Sequence, residues 1–113
     1  MCVKLLRYDE SKFINKPMQT ITDIGTLIVR TPGICGGRPR IAEHRITVHN
    51  IAIDFNAGMK PEEIVAERLQ LTLAQVYVAL SYYYANKDAI DTEIAADVEE
   101  YNRLEAEYRA KMQ

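Results

Sequence analysis

Residues 31–46, Thr-Pro-Gly-Ile-Cys-Gly-Gly-Arg-Pro-Arg-Ile-Ala-Glu-His-Arg-Ile, constrain the path of this chain more than any other stretch. Three of its five glycines and two of its four prolines lie there, together with three arginines. Proline fixes φ and glycine opens the left-handed region, so this segment must turn rather than continue a regular element. Thr26-Leu27-Ile28-Val29-Arg30, just ahead of it, is rich in β-branched residues and reads as a strand. Arg40 to Thr47 is placed to return as a second short strand, giving a β-hairpin or β-arm. Short apolar pieces at Val3–Leu6 and Ile21–Ile24 also suit extended chain.

From Val48 the apolar period changes from two to 3.6. Val48, Ile51, Ala52 and Phe55 share one helical face, with Thr47 as N-cap and Gly58 as the C-terminal cap. Pro61 opens a second, short helix with Glu62 and Glu63 in its first turn and Ile64, Val65 and Leu69 as its apolar face. Thr72 and Gln75 form a capping-box pair that starts a third helix, whose inner face reads as Leu73, Val76, Tyr77, Leu80 and Tyr84. Three helices joined by short links, with a tight turn near Gln70-Leu71, match a helix-turn-helix arrangement and equally any small three-helix bundle. Asp88 to Gln113 reads as a longer fourth helix, with Ile94, Val98, Tyr101, Leu104, Tyr108 and Met112 spaced by threes and fours.

The chemistry on offer is that of binding. Cys2 and Cys35 make no disulfide framework, and His44 and His49 lack the register of a helical metal pair. Gly33-Ile34-Cys35-Gly36-Gly37-Arg38 fails the spacing of a phosphate loop and lacks its Lys-Ser/Thr ending. No catalytic constellation, metal site or cofactor is therefore expected, and the chain reads as a non-enzyme. No apolar run approaches a bilayer span, and the first ten residues have too short an apolar core for a signal peptide, so a cytoplasmic location is expected. Charge is segregated: residues 1–50 carry +4, residues 51–87 carry −1 and residues 88–113 carry −5. A basic front and an acidic tail suggest two different contact surfaces.

On a helical projection Gln75, Ala79, Tyr82 and Asn86 fall opposite the inner face expected for the third helix. Glutamine and asparagine can pair with adenine, and alanine can meet a thymine methyl, so these four are candidate base contacts. That face has no cation, so Arg30, Arg38, Arg40, His44 and Arg45 would have to supply the phosphate contacts on which DNA affinity depends. Ile94, Val98, Tyr101, Leu104 and Tyr108 are candidates for gripping a protein partner.

Pro32-Gly33-Ile34-Cys35-Gly36-Gly37-Arg38-Pro39, Arg45-Ile46-Thr47-Val48, Gly58-Met59-Lys60-Pro61-Glu62-Glu63-Ile64 and Leu71-Thr72-Leu73-Ala74-Gln75-Val76 resemble the family of domains of unknown function numbered 433. The resemblance runs from Ile28 to about Tyr84. It implies a homeodomain-like trihelical domain with an added β-arm, and a VapB-type antitoxin partnered by a PIN-like nuclease toxin. Two positions depart from the family pattern. Glu43-His44 stands where Gly-Thr is usual, which changes the local turn. Lys60 replaces a Ser or Thr cap and should weaken the second helix by about 1 kcal/mol.

The expected fold is therefore mainly α, in three parts: residues 1–47 as β-arm and Gly/Arg/Pro elbow, residues 48–87 as a homeodomain-like helix-turn-helix core, and residues 88–113 as an acidic amphipathic helix. The expected function is that of a homodimeric DNA-binding antitoxin or regulator that also binds a protein. The alternative is a protein-interaction module that does not bind DNA.

Overall fold

A computed structural model describes residues 21–113. The architecture is the mainly α one expected: a small two-stranded hairpin, three short helices and a long C-terminal helix. The strands β1 (Ile28–Val29) and β2 (Arg40–Ile41) pair antiparallel, with Ile28 opposite Ile41 and Val29 opposite Arg40. Both are shorter than the sequence suggests. Ile21–Ile24 forms no strand and runs into a 3₁₀ turn at Ile24–Thr26. The extended piece expected at Val3–Leu6 and the thiol of Cys2 lie outside the described residues.

The loop between the strands explains its composition. Cys35, Gly36 and Gly37 have φ of 52°, 66° and 77°, three consecutive residues in the left-handed region. Such a run is strained for residues with a side chain, and two of the three positions are glycine. The turn is closed by Gly37 N–H donating to the Ile34 carbonyl at 2.9 Å and Arg38 N–H to that of Cys35 at 3.1 Å. The Cys35 thiol donates across the loop to the Arg45 carbonyl at 3.4 Å, a structural role.

Helices α1 (Val48–Asn56), α2 (Pro61–Glu67) and α3 (Leu73–Ala85) start and stop where their caps dictate. Thr47 and Asn50 exchange backbone-to-side-chain hydrogen bonds at the start of α1, and Thr72 and Gln75 do the same for α3. Gly58, at φ 104°, ends α1 in a Schellman motif, with its N–H on the Phe55 carbonyl and that of Met59 on Asp54. Lysine has no acceptor for a cap, and Glu63 compensates for Lys60 by accepting the Lys60 N–H at 2.7 Å.

The core joins Ile41 and Ile46 of the arm to Val48, Ile51 and Ala52 of α1, Ile64 of α2, and Val76, Ala79, Leu80 and Tyr83 of α3. Leu71 plugs the turn between α2 and α3, whereas Leu69, expected inside, is 83% exposed because α2 stops at Glu67. The rotation of α3 also departs from expectation. Val76 and Leu80 are buried as foreseen, but Tyr77 and Tyr84 are half exposed and Ala79 and Tyr83 take the inner positions.

Two features set that rotation. The fully buried Ala52 and Ala79 lack bulk where α1 and α3 pack, and Tyr83 bridges three helices. Its hydroxyl accepts from Asn56 Nδ2 at 3.0 Å and donates to Asp91 Oδ1 at 2.7 Å.

One residue, Asn86, separates α3 from α4 (Lys87–Met112). Its φ/ψ of −133°/36° breaks the helix. Its side-chain amide donates to the Tyr82 carbonyl at 3.0 Å. Ile90 is buried against the core and Ile94 packs on its edge. Beyond Asp97 the helix runs on, and the described residues span 76 × 30 × 26 Å.

Candidate functional site

The candidate base contacts do not share an accessible face. Ala79 is fully buried, so it cannot meet a thymine methyl. Asn86 spends its amide on the Tyr82 carbonyl as the helix break, and Gln75 spends its side-chain oxygen on the Thr72 N–H. Tyr82 is half buried against the core. Ala79 and Tyr82 lie toward the core because α3 is turned relative to its expected orientation, whereas Asn86 is exposed at the helix end.

The candidate phosphate contacts are largely occupied as well. Arg40 is 9% exposed and points inward, donating to the His44 carbonyl at 2.9 Å and to the Thr31 hydroxyl at 3.0 Å. It pins the arm to the loop and cannot reach a ligand. Arg30 Nε holds the Gly37 carbonyl at 3.0 Å. Arg38 makes a bidentate pair with Asp97 of α4, Nη1 to Oδ2 at 2.7 Å and Nη2 to Oδ1 at 3.1 Å. The paired carboxylate raises the Arg38 pKa, and the hydrogen bonds from Arg38 hold Asp97 below the ordinary carboxylate value. His44 is half buried, and Arg45 is exposed.

His49 has a carboxylate partner that its sequence neighbourhood does not supply. Its nearly buried ring places Nε2 2.7 Å from Glu93 Oε1, with Glu93 contributed by α4. A carboxylate can only accept, so the proton of this contact sits on Nε2. Glu93 and Asp97 are one helical turn apart. Together with Ile90 they fasten the first half of α4 to the elbow and α1.

This redistributes the acidity of the tail. Six carboxylates lie between Asp88 and Glu100, and several are answered within the fold by Arg38, His49, Lys87 and Arg103. From Tyr101 onward there are two carboxylates and three cations, partly paired as Arg103–Glu107 and Arg109–Glu105. The projecting half is nearly neutral. Ile94 belongs to the core edge, but Val98, Tyr101, Leu104, Tyr108 and Met112 are 48–69% exposed along one continuing stripe.

A second apolar surface escapes helical-period reasoning. The thirteen residues of α3 include no charged side chain. Its outward side carries Leu73, Tyr77 and Tyr84, with Ser81 between two shallow grooves. One groove, about 480 Å³, is lined by Phe55, Pro61, Tyr77, Leu80, Ser81 and Tyr84. The other, about 340 Å³, is lined by Ile24, Gly25, Ile28, Val78, Ser81 and Tyr82. The absence of charge from Leu73 to Ala85 is the signal that could have found it.

Among the described residues, no group of three or more His, Cys, Asp or Glu side chains is placed to hold a metal ion. No helix there is long and apolar enough to cross a membrane.

A family model described as "Protein of unknown function (DUF433)" matches residues 28–83. A crystal structure of a DUF433 member protein from Anabaena variabilis ATCC 29413 is similar, with a TM-score of 0.59 and 26% identity, covering 79% of this chain and 99% of that one. Residues 1–86, all that precedes α4, make up less than that share of the chain, so the similarity reaches into α4. No curated protein matches.

Proposed function

Given that the chain belongs to the DUF433 family, we propose that it is a non-catalytic binding protein that grips a protein partner with the projecting half of α4. The observation that carries this reading is the stripe of Val98, Tyr101, Leu104, Tyr108 and Met112, which stays 48–69% exposed beside the other described residues. An amphipathic helix laid into an apolar groove is a common mode of protein recognition. The near-neutral flanks favour an apolar groove over the basic cleft that an acidic helix would suit. A PIN-like nuclease is the partner class that the family resemblance suggests, with the chain as its antitoxin. Arg38 is held by Asp97, which leaves the helix rather than the elbow as the gripping element.

The test is co-expression with a PIN-like nuclease encoded beside it. The full chain should co-purify with the nuclease and suppress its RNA cleavage, and a chain ending at Asp97 should do neither while keeping its fold. Equal suppression by the shortened chain would sink the reading.

DNA binding is a second reading, favoured by the trihelical arrangement with its tight turn and by Arg45 and Lys60, which have no carboxylate partner among the described residues. A mobility-shift titration with the DNA upstream of its own reading frame checks it. Retardation at low salt that Arg45→Glu abolishes would support it.

A further inference from the structure

We infer that the outward face of α3 is the contact between two copies of this chain. A helix that is apolar all round is normally covered all round. Here α3 has no charged residue, yet the described residues cover one side only: Val76, Ala79, Leu80 and Tyr83 are buried, while Tyr77 is 48% and Tyr84 54% exposed. Phe55 extends the exposed face through an edge-to-face contact with Tyr84 at 6.2 Å.

The chemistry of the face selects a second copy as its occupant. In an isologous contact each charge meets its own like charge near the axis, so a face without charge is self-compatible. Apart from the stripe on α4, most of the surrounding described surface carries charge; α2, the neighbour of this face, presents Glu62, Glu63 and Glu67. A partner as charged as that surface would leave ions desolvated against these tyrosines. Ser81 is the small residue at the centre, with a groove on either side of it that can receive a ring. In an antiparallel crossing at Ser81, Tyr77 of one copy lies beside Tyr84 of its twin and the helix dipoles oppose. A stable contact buries at least about 1,200 Å² in total, so the exposed parts of Leu73, Tyr77 and Tyr84 must all be covered in it.

This contact is separate from the stripe on α4, and the two can be tested apart. Sedimentation equilibrium of the full chain over a roughly hundredfold concentration range should give twice the mass of 12.9 kDa. Ser81→Arg should give the monomer mass with the helical circular-dichroism signal retained, because Ser81 is exposed. Tyr77→Lys, on the flank of the face, should do the same and serves if the first variant folds poorly. A chain ending at Asp97 should remain a dimer. A wild-type chain that is monomeric throughout would overturn the inference. So would a dimer that survives both substitutions and is lost on shortening α4, which would assign self-association to the stripe.

Discussion

Glu43 has a φ of 67°, in the region that favours glycine. It occupies a position where the family pattern has glycine, so the altered turn expected from sequence takes the form of a strained glutamate. Glu43→Gly should raise stability by about 1 kcal/mol, read as a higher midpoint in denaturant. Tyr83 exerts the opposite leverage. Its hydroxyl ties Asn56 to Asp91 across three helices, and Tyr83→Phe leaves both partners short of a bond. A loss of about 1–2 kcal/mol is expected in the same measurement. The caps at Thr47 and Thr72 were legible because they depend on neighbours three residues away. Tyr83 was not, because Asn56 and Asp91 become its partners only once the helices pack, and Glu93 was hidden from His49 for the same reason.

Among the elements, α4 shows how a net charge can mislead. Its acidity looks like a docking surface in one dimension, yet the structure commits two of its carboxylates, Asp97 and Glu93, to a clasp on Arg38 and His49. The Arg38–Asp97 pair is partly exposed, so its contribution is below about 1 kcal/mol. Its sign is still definite. Asp97 has a lowered pKa when folded, so its stabilisation is complete above the unfolded carboxyl value near 3.8 and fades as pH falls through the folded one. Asp91, lowered by the hydrogen bonds from Lys87 and Tyr83, behaves alike. Protection against amide exchange in the first half of α4, relative to the intrinsic rate at each pH, should therefore fall below about pH 4, and Asp97→Asn should remove part of that dependence. Helix α3 was legible as an element but not in its rotation. With apolar or uncharged side chains on every side, its periodicity selects no single inner face, and the choice falls to Ala79 and Tyr83.

At the scale of the whole molecule, a packed body and a projecting helix separate stability from contact. The stripe beyond Asp97 is largely exposed among the described residues, so ending the chain there should change the unfolding free energy by no more than about 0.5 kcal/mol, measured in urea. Ile90 lies on the other side of that division, and Ile90→Ala should cost about 2–4 kcal/mol. A dimer joined through α3 would carry two such helices, and a partner with two matching sites would gain avidity without any new contact. The same dimer would occupy the helix that a major-groove reader must leave free.

The single-residue break at Asn86 has a mechanical consequence. Helix α4 is a stiff rod of 26 residues, about 39 Å long, pivoting on one residue and clasped about a third of the way along by Arg38 and His49. It is a lever. A pull on Tyr108 acts through a long arm on the clasp and then on Tyr83, which shares Asp91 with the rod. A partner that grips the far end can therefore strain the centre of the core without touching it, and loosening the clasp would let the far end sweep through a wide arc for a small turn at Asn86.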